Sequence, residues 1–303
     1  MRELYCIIGP TVAGKTYIST QISEYFSVEI ISCDSRQIYK YMNIGTAKPD
    51  DYKLKKTKHH FINIINPDEY YNAKMYSESA ENIINTIRIK GNLPLVVGGT
   101  GMYLNALIYG IFDIDIPDIL REKLREMKTI ELYRELCNID KITSLNIKPS
   151  DRYRIIRALE VKKHSGKSIT EIRKESIPRY KVIYFYIIKD RKELYNDIDM
   201  RVDEMIKSGL IEEIRGLLGM GYNFNTPGMR TIGYKEFEDY FSGKKDITEI
   251  SEIIKKNTRN YAKRQFTWFN KQIKKGEHYI YNVSDMEYKT VVNEIIERIR
   301  KGK

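Results

Sequence analysis

Eight consecutive residues near the start of the chain, Gly9-Pro10-Thr11-Val12-Ala13-Gly14-Lys15-Thr16, fit the pattern GxxxxGK[ST] between a short apolar run and an amphipathic segment. The glycines let consecutive backbone N–H groups turn toward an anion. The N-terminus of the following helix adds positive potential, Lys15 a point charge, and Thr16 a hydroxyl able to ligate Mg²⁺. Such a phosphate-binding loop, or P-loop, predicts that a di- or triphosphate binds, and leaves open which bond breaks. Other residues must choose the reaction. Asp34 follows the next apolar run, at the strand end where open α/β sheets bind ligands, so its carboxylate is expected to face the P-loop. It can hold Mg²⁺ through water, accept a proton, or cap the next turn through Ser35; beside a P-loop the first two readings take precedence.

These residues need a parallel sheet to bring them together, and the pattern supplies one. Residues 4–8 and 28–32 read as strands flanking a helix that starts at Lys15 and puts Ile18, Ile22, Tyr25 and Phe26 on one face. A further strand is expected at 61–65, then a helix at about 73–90, then a strand at 93–97 that runs into Gly98-Gly99-Thr100. From about 113 to 178 there is helical periodicity without a convincing strand, punctuated by Pro117, Pro149 and Pro178. Residues 182–188 restore a buried-strand pattern. Ile198, Val202, Met205 and Ile206 then mark an amphipathic helix that Gly209 breaks, and Leu210, Ile214, Leu217 and Leu218 repeat its spacing. The rest reads as helices with a short strand at 279–281. The expected fold is therefore α/β: a P-loop NTPase-like parallel sheet covered by helices, with a smaller helical insertion domain. Residues 1–113 and 180–303 would form the core, and 114–179 the insert.

Composition narrows the class. A 303-residue chain with 42% hydrophobic residues buries a core without staples. Three cysteines, Cys6, Cys33 and Cys137, are odd in number and too far apart for a metal clip, which fits a reducing, cytosolic setting. No apolar stretch at the N-terminus is long enough for export or membrane insertion. The formal charge of +11, from 52 basic and 41 acidic residues, fits a polyanionic partner, although lysines scattered by compositional bias would give the same sum. Clustering decides. Residues 255–275 hold eight Lys or Arg and no Asp or Glu. At helical spacing Lys256, Arg259, Lys263, Thr267, Asn270 and Lys274 share one face, with Ile254, Tyr261, Ala262, Phe269 and Ile273 on the other. His59-His60 has no spaced carboxylate or cysteine partners and reads as a strand-edge pair rather than a metal site.

The segments GPTVAGKT (9–16), ISCDSRQIYKYMNIGTAKP (31–49) and LVVGGTGMYLNAL (95–107) together resemble the tRNA dimethylallyltransferases, or isopentenyl-tRNA transferases. The resemblance continues through Asp151-Arg152-Tyr153-Arg154, Arg157-Ala158-Leu159-Glu160-Val161, Gly228-Met229-Arg230-Thr231-Ile232-Gly233-Tyr234 and Ala262-Lys263-Arg264-Gln265-Phe266-Thr267-Trp268, and so covers nearly the whole chain. The chain lacks the residues for the C-terminal zinc finger of some eukaryotic relatives, so the bacterial form is expected.

The resemblance implies transfer of a dimethylallyl group from dimethylallyl diphosphate to the exocyclic amine of the adenosine 3′ to a tRNA anticodon, with Mg²⁺ assisting and diphosphate leaving. Asp34 matches the general base. Lys15, Thr16, the loop amides and Arg230 would stabilise the departing diphosphate. Thr100 matches a residue near the acceptor nucleotide, though helix N-capping accounts for it almost as well. Ser35, Arg36 and Gln37 match the tRNA-contacting region, as do Arg121, Arg152, Arg154 and Arg157 in the insert. The motif around Arg259, Lys263 and Arg264 makes RNA backbone the better partner for the basic helix than a membrane. The enzyme must also extrude the acceptor base from its stack and keep water from the allylic centre. It is expected to work as a cytoplasmic monomer on the anticodon stem-loop.

Three rivals stay open. A P-loop kinase would move a phosphoryl group from ATP and use an arginine-rich lid. A relative that prenylates free adenine nucleotides would not need the basic C-terminal region. A non-catalytic RNA-binding protein with a degenerate P-loop would show no turnover.

Overall fold

Apolar residues alternate along the strands and bury both faces of one parallel sheet. In strand β1 (Glu3–Ile8), Leu4, Cys6 and Ile8 enter one core cluster, and Tyr5 and Ile7 enter the other. The computed structural model describes residues 2–111 and 114–302, apart from the side chains of Arg173 and Lys174. Asp113, the expected end of the first core segment, lies outside the described residues.

The remaining strands are β2 (Val28–Cys33), β3 (His59–His60), β4 (Leu93–Gly98), β5 (Lys181–Ile188) and β6 (Glu277–Asn282). Their spatial order is β3-β2-β4-β1-β5-β6, and every neighbouring pair is parallel. A parallel sheet must be covered on both sides, which is why its strands read as nearly continuous apolar runs. Helix α1 (Lys15–Ile22) packs Ile18 and Ile22 into one cluster. The short α2 (Asp51–Lys56) is capped by the Asp50 carboxylate and buries no residue. On the opposite face, α3 (Ala73–Ile89) contributes Tyr76, Ala80, Ile84 and Ile87, and α4 (Gly101–Tyr109) contributes Leu104 and Leu107. Asn72 starts α3 by accepting the N–H groups of Lys74 and Met75.

The strand expected at 61–65 does not form. The ladder to β2 stops at His60, and Phe61 and Asn63 take φ values of 65° and 57°, which a strand cannot accommodate. Phe61 and Ile65 are buried all the same, Ile65 through an isolated bridge to Tyr39. Apolar character there reflects packing of a turn. His59 and His60 form the edge strand itself, His60 bonded to the buried Glu29 at 2.8 Å.

Contacts divide the chain into two compact units: residues up to Gly110 together with those from Arg179 onward, and Ile111–Pro178. The second unit holds α5 (Asp118–Glu126), α6 (Thr129–Ile139), α7 (Lys141–Ser144), α8 (Arg152–Ser165) and α9 (Ile169–Glu175), with no strand among its described residues. Its own core gathers Leu124, Leu132, Leu136, Ile155, Ala158 and Leu159. The first unit resumes with α10 (Arg191–Lys207) and α11 (Leu210–Gly219), separated at Gly209, whose φ of 98° favours glycine. Then come α12 (Phe237–Phe241), the long α13 (Ile247–Gln272), begun by an Asp246/Glu249 capping box, and α14 (Tyr288–Lys301). The cysteines are free, Cys6 and Cys33 buried. Among the described residues no helix is long and apolar enough to cross a membrane.

Candidate active site

Strand order assembles the site. β4 lies between β2 and β1, with Gly98 level with Cys33 on one side and Ile8 on the other. The segments leaving these three strands at the same edge are Gly98-Gly99-Thr100, Asp34-Ser35 and the P-loop. They meet in one pocket lined by Lys15, Thr16, Asp34, Gly99, Arg201 and Tyr261, among others.

The P-loop wraps tightly into α1. Gly14 stands at the N-cap with φ 84° in the left-handed region, and a Cβ there would lie 2.3 Å from the Tyr288 ring of α14. Val12 also takes a left-handed φ of 66°, unusual for a β-branched residue. The first N–H groups of α1 have no intrahelical acceptor, so those of Lys15 and Thr16 are open to an anion. Gly9, Pro10 and Ala13 are buried and do not line the pocket; Thr11, Val12, Gly14, Lys15 and Thr16 do. The Lys15 ammonium donates to the Pro10 carbonyl. Burial lowers its pKa to about 8, with the Asp34 charge opposing that shift and the Arg201 charge adding to it.

Asp34 accepts the Arg36 N–H on Oδ1 at 2.8 Å, so it does cap the following turn. Its Oδ2 makes no hydrogen bond to another described residue and remains available in the pocket. Ser35 and Arg36 do not line the pocket. Gln37 does, but its Nε2 donates to the Thr46 and Ala47 carbonyls at 3.5 and 3.2 Å and its Oε1 accepts from Ser32 at 3.3 Å. Its amide is thus held by the protein, and an adenine edge would have to displace those contacts. Thr100 occupies the N-cap of α4 without capping it. Its hydroxyl instead accepts the Ser35 N–H at 3.0 Å, and it lies outside the pocket lining, so it bears on Asp34 through Ser35.

Arg230 lies outside the lining of this pocket. The 3₁₀ turn Gly228–Arg230 buries Met229 and leaves Arg230 exposed, its guanidinium 3.5 Å from the Asn225 amide oxygen in a separate depression with Lys235 and Asp239. Beside Lys15, the pocket holds a second cation, Arg201 of α10, for which no pairing acid is found among the described residues; burial lowers its pKa and the Asp34 charge raises it.

The other basic residues separate into held and free. Arg259 is bound by the Asp199 carboxylate of α10. Lys263 is exposed, and Arg264 lies over the Tyr261 ring at 5.7 Å. In the second unit, Arg152 donates to the Met127 carbonyl at 2.7 Å and to that of Arg125, joining helices rather than facing solvent. Arg121 and Arg157 flank the buried Glu160 at 3.6 and 3.1 Å. Arg154 pairs with Asp151 at 3.3 Å and is otherwise exposed.

Three pocket residues escaped the reading of the sequence. Arg201 sits on the stripe Ile198, Val202, Met205, and Gln265 and Tyr261 sit on the apolar side of α13. A polar residue on a buried stripe is the usable signal, because burial obliges it to find a partner. Burial and the Asp34 charge push the Tyr261 hydroxyl up to about 12, so it stays protonated in the pocket. Thr16 and Asp34 supply a hydroxyl and a carboxylate beside the phosphate loop. That suits Mg²⁺, which takes few protein oxygens and completes its shell from phosphate and water.

Comparison with known proteins gives a consistent result. The model of the IPP transferase family matches residues 37–272. The tRNA dimethylallyltransferase of Thermotoga maritima is 42% identical over 297 residues, covering 97% of this chain and 95% of that protein. The one from Acetivibrio thermocellus is 41% identical, covering 89% of this chain and 90% of that protein. The crystal structure of tRNA delta(2)-isopentenylpyrophosphate transferase from Staphylococcus epidermidis superposes with a TM-score of 0.74 at 31% identity, covering 100% of both chains. A eukaryotic dimethylallyltransferase acting on tRNA superposes with a TM-score of 0.82 at 27% identity, over 93% of this chain and 74% of that one.

Proposed function

This chain belongs to the IPP transferase family, and from that premise we propose that it transfers a dimethylallyl group from dimethylallyl diphosphate to the exocyclic amine of the adenosine 3′ to a tRNA anticodon, releasing diphosphate. The observation that carries the reading is the pocket in which a P-loop, Arg201 and Asp34 meet. A diphosphate leaving group and a proton acceptor are what prenyl transfer to an amine requires.

The amine nitrogen attacks the allylic carbon, the carbon–oxygen bond to the diphosphate breaks, and its electron pair leaves with the diphosphate. Asp34 Oδ2 takes the amine proton, a step worth about 10²–10⁴-fold. Lys15, Arg201 and the amides opening α1 stabilise the charge that grows on the leaving group, so they favour the transition state over the ground state. Mg²⁺, held by the Thr16 hydroxyl with Asp34 near, would neutralise part of that charge. Thr100 orients the turn that carries Asp34. The exposed Lys256, Lys263 and Arg264 of α13 and Lys274 just beyond it contact RNA phosphates, joined by Arg154 of the helical unit, while Arg259, Arg152, Arg121 and Arg157 hold the protein fold. The enzyme works in the cytoplasm as a monomer.

Acceptor choice tests this reading. Labelled dimethylallyl diphosphate is offered with unmodified tRNA and, separately, with AMP. Prenylated tRNA and unreacted AMP support it; prenylated AMP, or ATP turnover without prenylated RNA, overturns it.

A further inference from the structure

We propose that Gln265 is a positioning residue for the transfer, fixing the P-loop and the Gly98-Gly99-Thr100 turn at a set separation. The inference rests on the reading of the pocket as a site for diphosphate and acceptor.

Gln265 belongs to α13, remote in sequence from both loops, and is 5% exposed. Its Oε1 accepts the Thr11 N–H at 2.9 Å, and its Nε2 donates to the Gly99 carbonyl at 2.9 Å. A donor must meet the carbonyl and an acceptor the N–H, so the amide has one workable orientation. Glutamate can serve only the Thr11 side, methionine neither side, and asparagine is one methylene too short to span the same gap.

The two loops it joins are in direct apposition. A Cβ on Gly99 would lie 2.2 Å from Gln265 Nε2 and 3.3 Å from the Gly9 carbonyl oxygen, so the approach depends on a glycine at that position. Flanking residues of α13 grip the same turn. Tyr261 lines the pocket beside Gly99, and a Cβ on Gly101 would lie 2.4 Å from the Trp268 indole. Gln265 is the member of this set that also reaches the P-loop. A connected path results, from Thr11 through Gln265 to Gly99, then Thr100, whose hydroxyl holds the Ser35 N–H beside Asp34. Its two ends are the diphosphate cradle and the base. Their spacing sets whether the allylic carbon and the amine meet in line, and small misplacements cost rate steeply.

The test compares Gln265→Met with Gln272→Met. Gln272 lies on the same helix, is equally buried, and donates to the Tyr184 hydroxyl at 3.2 Å away from the pocket lining. Pyrophosphate affinity, kcat at saturating substrates and KM for the RNA are measured on folded protein, with circular dichroism and melting as controls. Gln265→Met is expected to lose about tenfold or more in both pyrophosphate affinity and kcat, with KM for the RNA unchanged, while Gln272→Met keeps all three within about twofold. If Gln265→Met does not fold, Gln265→Glu is measured instead, and loss of kcat by about tenfold is expected from the missing donor to Gly99. Wild-type affinity and kcat in the Gln265 variant, or equal losses in both methionine variants, would overturn the role while leaving the reading of the pocket intact. Wild-type protein that bound no pyrophosphate would remove that reading and the role with it.

Discussion

The Thr100 hydroxyl accepts the Ser35 N–H at 3.0 Å, tying the end of β4 to the residue that follows Asp34. A second link reinforces it, since the Gly99 and Thr100 N–H groups both donate to the Cys33 carbonyl, at 3.2 and 3.0 Å. Asp34 is therefore carried on a turn pinned from both sides, and its carboxylate is oriented before any substrate arrives. Preorganisation of this kind is how a fixed base contributes to rate without rearranging during the reaction.

Replacing Asp34 with asparagine keeps the shape and the bond from the Arg36 N–H but removes the proton acceptor. Turnover should fall about 10²–10⁴-fold, with tRNA affinity within about twofold of wild type. Single-turnover rates and filter binding on the same preparation separate the two quantities.

How much of this was open to the sequence differs by residue. The alternation of Leu4, Cys6 and Ile8 against Tyr5 and Ile7 announces β1, and the glycines and lysine of the P-loop announce its anion, because both signals are local. Phe61 and Ile65 misled, since burial in a turn and burial in a strand demand the same residue types. That Arg201 lines the pocket and Arg230 does not was illegible for a related reason: a motif gives spacing along the chain, whereas the direction of a side chain depends on which neighbour, here Met229 or Ile198, is drawn into the core. Arg259 carries a visible charge, but its partner Asp199 is 60 residues away and no local pattern links them.

Lys15 gives the site a pH signature. In the free protein it loses its proton as pH rises through about 8, and a diphosphate binds the charged form better. Affinity for dimethylallyl diphosphate should be level below that pH and fall toward about tenfold per unit above it, with proton uptake on binding at pH 9. Calorimetry in two buffers of different ionisation enthalpy checks this, and Lys15→Arg should flatten the profile. The stability term has the opposite sense. The folded pKa lies below the ordinary value, so the cost of a buried charge is fully present below about 8 and is relieved as pH rises toward 10.5.

Arg201 and Arg230 should part company in kinetics. Arg201→Gln removes a cation from the pocket and should weaken dimethylallyl diphosphate about tenfold or more, as loss of a hydrogen bond to a charged group does. Arg230→Ala, in its separate depression, should leave that constant within about twofold. Initial rates over a range of dimethylallyl diphosphate concentrations at saturating RNA decide.

Salt dependence sorts the basic helix. Lys263→Ala and Arg264→Ala should each reduce the slope of log affinity for tRNA against log salt by about 1. Arg259→Ala should leave the slope unchanged and cost at most about 1 kcal/mol of stability, because its partly exposed guanidinium is occupied by Asp199. Binding titrations at four salt concentrations and a urea melt supply both numbers.

The most direct measurement follows both products of one reaction. Protein, Mg²⁺, dimethylallyl diphosphate and an unmodified anticodon stem-loop are incubated, released diphosphate is quantified, and the RNA is digested to nucleosides for mass spectrometry. One diphosphate should appear for each dimethylallyl group, all of it on the exocyclic amine of the adenosine 3′ to the anticodon. Diphosphate released without prenylated RNA, or a dimethylallyl group on a different nucleoside, would contradict the account.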